Sequence, residues 1–143
     1  MPKLSEHLDS NETECPCGCG FWRIETALVE SFEAIRMLVN VKRIGKGGKE
    51  RGLIIGKGGG VRCLQFQQYI EKRGGYVSRH RTHCPQQAGN VGRALDIHLP
   101  SRLTFNEFKG IVDMICRAGH GIGYYPRKRF IHIDLRPERT WEQ

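Results

Sequence analysis

The chain has 143 residues, of which 38% are hydrophobic and 27% are charged, and these values are typical of a globular protein rather than a disordered tail. No apolar run approaches the ~20 residues of a membrane span, so we expect no membrane-spanning helix. The net charge of +8 favours a polyanionic partner such as nucleic acid, anionic lipid or the acidic polymers of a cell wall.

The length predicts a single domain over residues 1–143, since one ordinary core fits a chain of this size. The N-terminus lacks a basic-then-apolar pattern, so we expect synthesis in the cytoplasm without a signal peptide. Residues 1–23 are predicted to form an irregular, Cys-rich entry segment. Its alternate cysteines Cys15, Cys17 and Cys19 lack the CxxC spacing of zinc knuckles, and we therefore expect reduced, partly buried thiols there, with a structural metal ion as the alternative.

Two helices are predicted in the first half of the chain. Apolar residues recur with helical spacing over Ile24–Val39, and a second helix is expected over Leu64–Lys72. Between them, residues 42–60 are rich in Gly and Lys, which predicts a hairpin or long loop around a short strand at Leu53–Ile55.

The second half of the chain combines strands with one helix. Alternation predicts a strand over Arg93–Leu99, and Thr104 with Glu107 forms a capping box that opens a third helix. Two short strands, Gly121–Tyr124 and Phe130–Leu135, follow around a turn. Because the strands suit antiparallel pairing and show no βαβ rhythm, we predict an α+β fold with a small antiparallel sheet and flanking helices.

Two of these strands carry polar side chains suited to a site. Asp96 stands between two apolar residues, and so does His132, so each points away from the apolar face of its strand. Asp134 shares the face of His132. Either residue alone is also compatible with a hydrogen-bonded structural role.

Four segments resemble the zinc D-Ala-D-Ala carboxypeptidase and murein endopeptidase family. They are GRALDI (Gly92–Ile97), the closing segment GIGYYPRKRFIHIDLRPERTW (Gly121–Trp141), the opening LSEHLDSNETECPCGCGFW (Leu4–Trp22), and GVRC (Gly60–Cys63). The resemblance implies the zinc fold that this family shares with lysostaphin-like enzymes and hedgehog domains.

The same resemblance implies roles for individual residues. Asp96 would be the carboxylate ligand of Zn²⁺, and His132 would be the last histidine ligand. Arg62 would bind a substrate carboxylate or the oxyanion that develops during hydrolysis. Asp134 would either assist proton transfer as a base or orient His132.

The first zinc ligand departs from the pattern of the family. The family writes it as S-x-H-x-x-G-x-A-x-D, which places the histidine where this chain has Gly89. Ser78-Arg79-His80 keeps the S-x-H triplet, so we predict His80 as the first ligand, with His83 as the alternative.

The predicted function is therefore that of a zinc metallopeptidase of the D-Ala-D-Ala carboxypeptidase or endopeptidase type, acting on peptidoglycan peptides. Anionic wall polymers are expected as a further partner, and release or virion delivery, as by a phage endolysin, would bring the protein to the wall. A non-catalytic wall-binding or virion structural relative is one alternative. The other is a KH nucleic-acid module, which Leu53–Gly59 resembles, although the expected apolar position after that loop is Arg62.

Overall fold

The computed structural model of the chain describes residues 2–74, 82–84, 91–136 and 139–143. Its first elements are the short antiparallel strands β1 (Lys3–Ser5) and β2 (Leu8–Asp9) and the one-turn helix α1 (Ser10–Thr13). The entry segment is thus more regular than predicted. The Asp9 N–H donates to the Glu12 carboxylate over 2.8 Å, an end interaction that nucleates the turn of α1.

Three longer helices follow, α2 (Thr26–Gly45), α3 (Leu64–Gly74) and α4 (Phe105–Cys116). All three were predicted, but α2 continues into the segment expected to be a loop. The reason is Arg43, which is buried, with its guanidinium donating to the Asn40 side chain over 2.8 Å and to the Ser101 carbonyl over 3.3 Å. The predicted capping box of α4 is present, with the Glu107 N–H donating to Thr104 Oγ1 over 3.1 Å.

A four-stranded sheet has the order β3–β5–β4–β6, formed by β3 (Ala94–His98), β4 (Gly121–Tyr125), β5 (Phe130–Asp134) and β6 (Arg139–Glu142). The first three strands pair antiparallel, whereas β6 runs parallel to β4. The α+β class with a small antiparallel sheet is therefore confirmed. The parallel edge strand β6 was not predicted.

The register of the sheet sets Asp96 directly opposite His132 on β3 and β5. Their apolar neighbours, Leu95, Ile97, Ile131 and Ile133, have no exposed surface and belong to the hydrophobic core. Strand alternation therefore separates an apolar face from a polar face, as the sequence predicted.

The segment between α2 and α3, residues 46–63, lies against β3, and we call it the Gly-rich loop. Ile55 forms an antiparallel bridge with Ile97, and the Asp96 N–H donates to the Gly59 carbonyl over 2.8 Å. Because α2 ends at Gly45 and α3 begins at Leu64, this loop lacks the two adjacent helices of a KH loop. The KH interpretation is therefore wrong. Among the helices that the structure describes, none combines the length and apolarity required to cross a membrane.

Two glycines on β4 make room for the polar face. Gly121 lies opposite Asp134 and Gly123 lies opposite His132. A Cβ atom at Gly121 would collide with the Asp134 carboxylate, and one at Gly123 would collide with the Trp141 ring. By contrast, Gly110 on α4 has no neighbouring atom within 4 Å of the position of an added Cβ.

We expect Gly121→Ala to lower the free energy of unfolding by about 1–3 kcal/mol, because the added methyl must displace a buried carboxylate. Gly110→Ala is the matched control and should raise it by up to about 1 kcal/mol through helix propensity. Urea unfolding of both variants beside the unmodified chain measures the difference. Equal stability of the Gly121→Ala variant and the unmodified chain would contradict this account of the glycine.

Candidate metal centre and active site

Three buried or nearly buried side chains converge on the polar face of the sheet. His132 Nδ1 lies 2.8 Å from Asp96 Oδ1, and His83 Nε2 lies 3.2 Å from His132 Nδ1 and 3.3 Å from Asp96 Oδ1. One donor atom from each residue lies within 4.8 Å of the others. We call this set of three the His–Asp–His cluster.

His83 is placed in the cluster by backbone hydrogen bonds of the segment 82–83 to Arg62 and Arg93. The Arg62 N–H donates to the His83 carbonyl over 2.9 Å, and the Arg93 N–H donates to the Thr82 carbonyl over 2.8 Å. His83 Nδ1 lies 2.7 Å from the Gly60 carbonyl oxygen, and since a carbonyl only accepts, the ring donates there. The Nε2 atom of His83 therefore faces Asp96 and His132.

The His132 ring is held from its other side by Asp134. His132 Nε2 lies 2.8 Å from Asp134 Oδ2, and Asp134 has no exposed surface. Arg136 donates to both oxygens of this carboxylate, from its backbone N–H and from Nε, over 2.9 Å each. An ionised Asp134 thus accepts the Nε2 proton and fixes the tautomer and orientation of the ring.

The charges of the site follow from burial and from these contacts. Burial, followed by the positive charge of Arg62, lowers the pKa of His83 to about 4, so its imidazole is neutral at pH 7. Burial alone would raise the pKa of Asp96, but its contacts with the imidazoles of His83 and His132 bring that pKa well below its usual range. The pKa of Asp134 is also lowered, since its hydrogen bonds with His132 and Arg136 outweigh burial.

The donor set fits a divalent metal ion. Ligands about 2.0–2.1 Å from a tetrahedral ion are about 3.3 Å apart, close to the spacing of the three facing atoms. Both imidazoles use their outer nitrogen to donate, to the Gly60 carbonyl and to Asp134, and such outer contacts are typical of histidine ligands. The inner atoms are then acceptors that face one another, an arrangement that a cation would stabilise.

Arg62 is fixed beside the cluster. Its Nη2 lies 3.1 Å from Asp96 Oδ2, its Nε donates to the Gly58 carbonyl over 2.6 Å, and its Nη1 lies 3.4 Å from Gln67 Oε1. The side chain is 18% exposed, so the guanidinium borders the surface of the site. Asp96 therefore turns one oxygen to Arg62 and the other to the two histidines.

The structure brings together Arg62, Asp96 and His132 from among the predicted site residues. Asp134 contacts His132 at the nitrogen that faces away from Asp96, which favours the orienting role over that of a base. His83, the alternative first ligand, lies in the cluster. His80 lies outside the described residues.

Sequence reasoning gave no role to the residues that support Asp134 and His132. The ring centroid of Trp141 lies 5.3 Å from that of His132, and Arg136 places its guanidinium carbon 5.0 Å from the Trp141 centroid. The Trp141 indole N–H donates to the Tyr125 hydroxyl over 3.0 Å. The alternate glycines of β4 were the available signal, because small residues opposite His132 and Asp134 indicate bulky groups above them.

The chain is similar to curated peptidoglycan endopeptidases. It is 33% identical over 81 residues to peptidoglycan L,D-endopeptidase MepK of Escherichia coli strain K12, a match that covers 57% of this chain and 43% of that protein. The proteins of the same name from Escherichia coli O157:H7 and Shigella flexneri match to the same extent. The chain thus spans less than half the length of the curated relatives it matches. No family model matches it, and no solved structure does. The predicted resemblance to murein endopeptidases is confirmed at the level of the family.

Proposed function

We propose, from this similarity to murein endopeptidases, that the chain is a zinc-dependent endopeptidase that cleaves peptides of bacterial peptidoglycan. The convergence of His83 Nε2, Asp96 Oδ1 and His132 Nδ1 carries the proposal. Two imidazoles and one carboxylate, with a position left for water, are the usual ligands of a catalytic zinc ion. Bound zinc would lower the pKa of its water towards neutrality and polarise the peptide carbonyl.

We assign the first ligand to His83 in place of the predicted His80. The support is geometric, since His83 Nε2 lies within 3.3 Å of both other donors and its Nδ1 is engaged by Gly60. The S-x-H triplet that favoured His80 is a sequence pattern alone.

In this proposal Arg62 stabilises the negative charge that develops on the substrate during hydrolysis. Its guanidinium is held by Gly58, Gln67 and Asp96, so its orientation is set before substrate binds. A fixed positive charge next to the carbonyl would stabilise the developing oxyanion more than the ground state. Asp134 acts through His132 as a positioning residue, because its carboxylate is buried and paired with Arg136.

The substrate assignment rests on the printed names of the relatives, which are peptidoglycan L,D-endopeptidases. The basic segments Lys42–Lys57 and Arg127–Arg139 would hold the protein near anionic wall polymers. Delivery by a phage stays a prediction from the opening segment.

We expect the purified chain to split cross-linked muropeptides into smaller units and to lose this activity on chelation, with recovery when Zn²⁺ is restored. Liquid chromatography with mass spectrometry of the products measures it. Release of a single terminal residue would instead identify a carboxypeptidase, and activity that persists in excess chelator would contradict the metal mechanism.

Variants of the histidines test the ligand assignment. His83→Ala and His132→Ala should each lower bound zinc and reduce hydrolysis by at least about 100-fold, because each removes an inner-sphere donor. His98→Ala, on the exposed end of the strand that carries Asp96, is the matched control and should keep both. His80→Ala is the decisive comparison, since loss of zinc in this variant with retention in His83→Ala would restore the sequence prediction.

We expect Asp134→Asn to weaken zinc binding by about 10–100-fold, because the neutral amide no longer fixes the His132 tautomer. Competition with a chromophoric chelator gives the affinity directly. Addition of zinc in excess should recover most of the hydrolysis, since the residue acts only through His132. If saturating zinc left the activity as low as before, Asp134 would be a proton carrier rather than a positioning residue.

A further inference from the structure

Four cysteines from two distant parts of the chain meet next to Arg62, at the end of the Gly-rich loop. Cys15, Cys17 and Cys19 come from the entry segment and Cys63 precedes α3. Cys17 Sγ lies 3.4 Å from Cys15 Sγ and 3.4 Å from Cys63 Sγ, and the four sulfurs all lie within 4.8 Å of one another. All four are free thiols. We call them the four-cysteine cluster.

Backbone amides point at every sulfur of the cluster. The Cys63 N–H donates to Cys15 Sγ over 3.3 Å, and the Phe66 N–H donates to Cys63 Sγ over 3.4 Å. Backbone amides of Cys19 and Phe21 act in the same way on Cys17 and Cys19. Such donors stabilise thiolates rather than neutral thiols, and outer contacts of this kind orient metal ligands.

We propose that the four-cysteine cluster binds a structural zinc ion, separate from the ion of the His–Asp–His cluster. Four thiolates about 2.3 Å from a tetrahedral ion lie about 3.8 Å apart, which is within the range that the sulfurs span. A closed set of four sulfur ligands leaves no position for water, so this ion has a structural role. The proposal goes beyond the peptidase function and does not depend on it.

The alternate spacing of the first three cysteines is accommodated by two glycines. Gly18 has φ +79° and Gly20 has φ +90°, conformations that side chains rarely adopt. They fold the segment back on itself, so that the Cys15 N–H donates to the Phe21 carbonyl over 2.8 Å. The fold-back gathers three sulfurs on one side, and Cys63 completes the set. The expectation of unliganded thiols considered the short segment alone.

The thiols of the cluster differ in how readily they lose a proton. Hydrogen bonds from Cys19, Cys63 and Cys15 lower the pKa of Cys17 to about 7. Burial raises the pKa of Cys15 to about 12. Binding of the ion would release the remaining thiol protons to solvent, because its ligands are thiolates.

The ion would act on the active site through Cys63, which directly follows Arg62. A metal bond to Cys63 would join the entry segment to the start of α3 and fix the backbone from which the Arg62 side chain extends. The metal-bound backbone would then add to the contacts that hold the Arg62 side chain, those with Gly58, Gln67 and Asp96. The cluster is a positioning device for the predicted oxyanion-binding residue.

Metal analysis of two double variants separates the two clusters. The unmodified chain, purified in reducing buffer without chelator, should contain two zinc ions. His83→Ala/His132→Ala should keep the ion of the cysteines, and Cys17→Ser/Cys19→Ser should keep the ion of the histidines. Because Cys17 and Cys19 are exposed, their substitution should disturb folding only through loss of the metal. Cys116→Ala, on α4 and outside the cluster, is the matched control and should retain both ions.

Cobalt binding distinguishes thiols that hold a metal ion from thiols that only pack within the fold. Co²⁺ added to metal-free His83→Ala/His132→Ala should produce thiolate-to-cobalt charge-transfer bands, absent from Cys17→Ser/Cys19→Ser. Chelation should lower the melting temperature of zinc-loaded His83→Ala/His132→Ala, because the ion left in this variant binds only the folded state.

Three results would overturn the four-cysteine site. They are a His83→Ala/His132→Ala variant without zinc, a cobalt spectrum without thiolate bands, and an intact mass that shows a disulfide in fresh reduced protein. If Cys17→Ser/Cys19→Ser held no metal while the cysteines of the other variant did, the peptidase proposal would fail and this one would stand.

Discussion

The pairing of Asp96 with His132 across β3 and β5 is the constraint on which the rest of the site depends. The two residues are opposite in an antiparallel register, so their side chains emerge side by side on one face. A slip of β3 by one residue would carry Asp96 into the hydrophobic core and bring Leu95 or Ile97 to the polar face. The apolar face therefore enforces the polar one, since four fully buried side chains hold the register that brings the two donors within 2.8 Å.

The polar groups of the site are each held in place by a partner other than the Asp96–His132 pair itself. Asp134 and Arg136 hold His132, the Gly60 carbonyl holds His83, and the Gly58 carbonyl holds Arg62. The orientation of each group is thus set before a ligand arrives, which lowers the reorganisation required during a reaction. The close approach of the Gly-rich loop to β3 makes this possible, and it favours glycine at position 59, because a Cβ there would lie 3.0 Å from the Asp96 Cβ and 3.1 Å from the Asp96 carbonyl oxygen.

Periodicity and capping predicted the three long helices, strands β3 to β5 and the faces of Asp96 and His132, because these depend on local sequence. Distant contacts were harder to anticipate. The C-terminal extension of α2 depends on Arg43 meeting Ser101, and β6 depends on pairing in parallel with β4. His83 and His80 were not separable by spacing, since His83 is placed by two contacts, from its carbonyl to the Arg62 N–H and from its ring to the Gly60 carbonyl. Cys63 is 44 positions from Cys19 in the sequence, so the local spacing of the first three cysteines carried no sign of a fourth.

The entry segment shows why a metal ion outside the active site would stabilise this fold. Among its described residues, only Leu8 and Cys15 are buried hydrophobic side chains, and Phe21 remains 37% exposed. Leu4 packs against the core while partly buried, and the remaining attachments include the bonds of Ser5 and His7 to Glu33 on α2 and the bond from the Val61 N–H to the Thr13 carbonyl over 2.8 Å. A neutral hydrogen bond contributes about 1 kcal/mol and one to a charged carboxylate about 1.5–3 kcal/mol, so a few such bonds hold the segment only modestly. A four-thiolate ion would join this segment to the residue next to Arg62 with bonds that do not depend on buried apolar area.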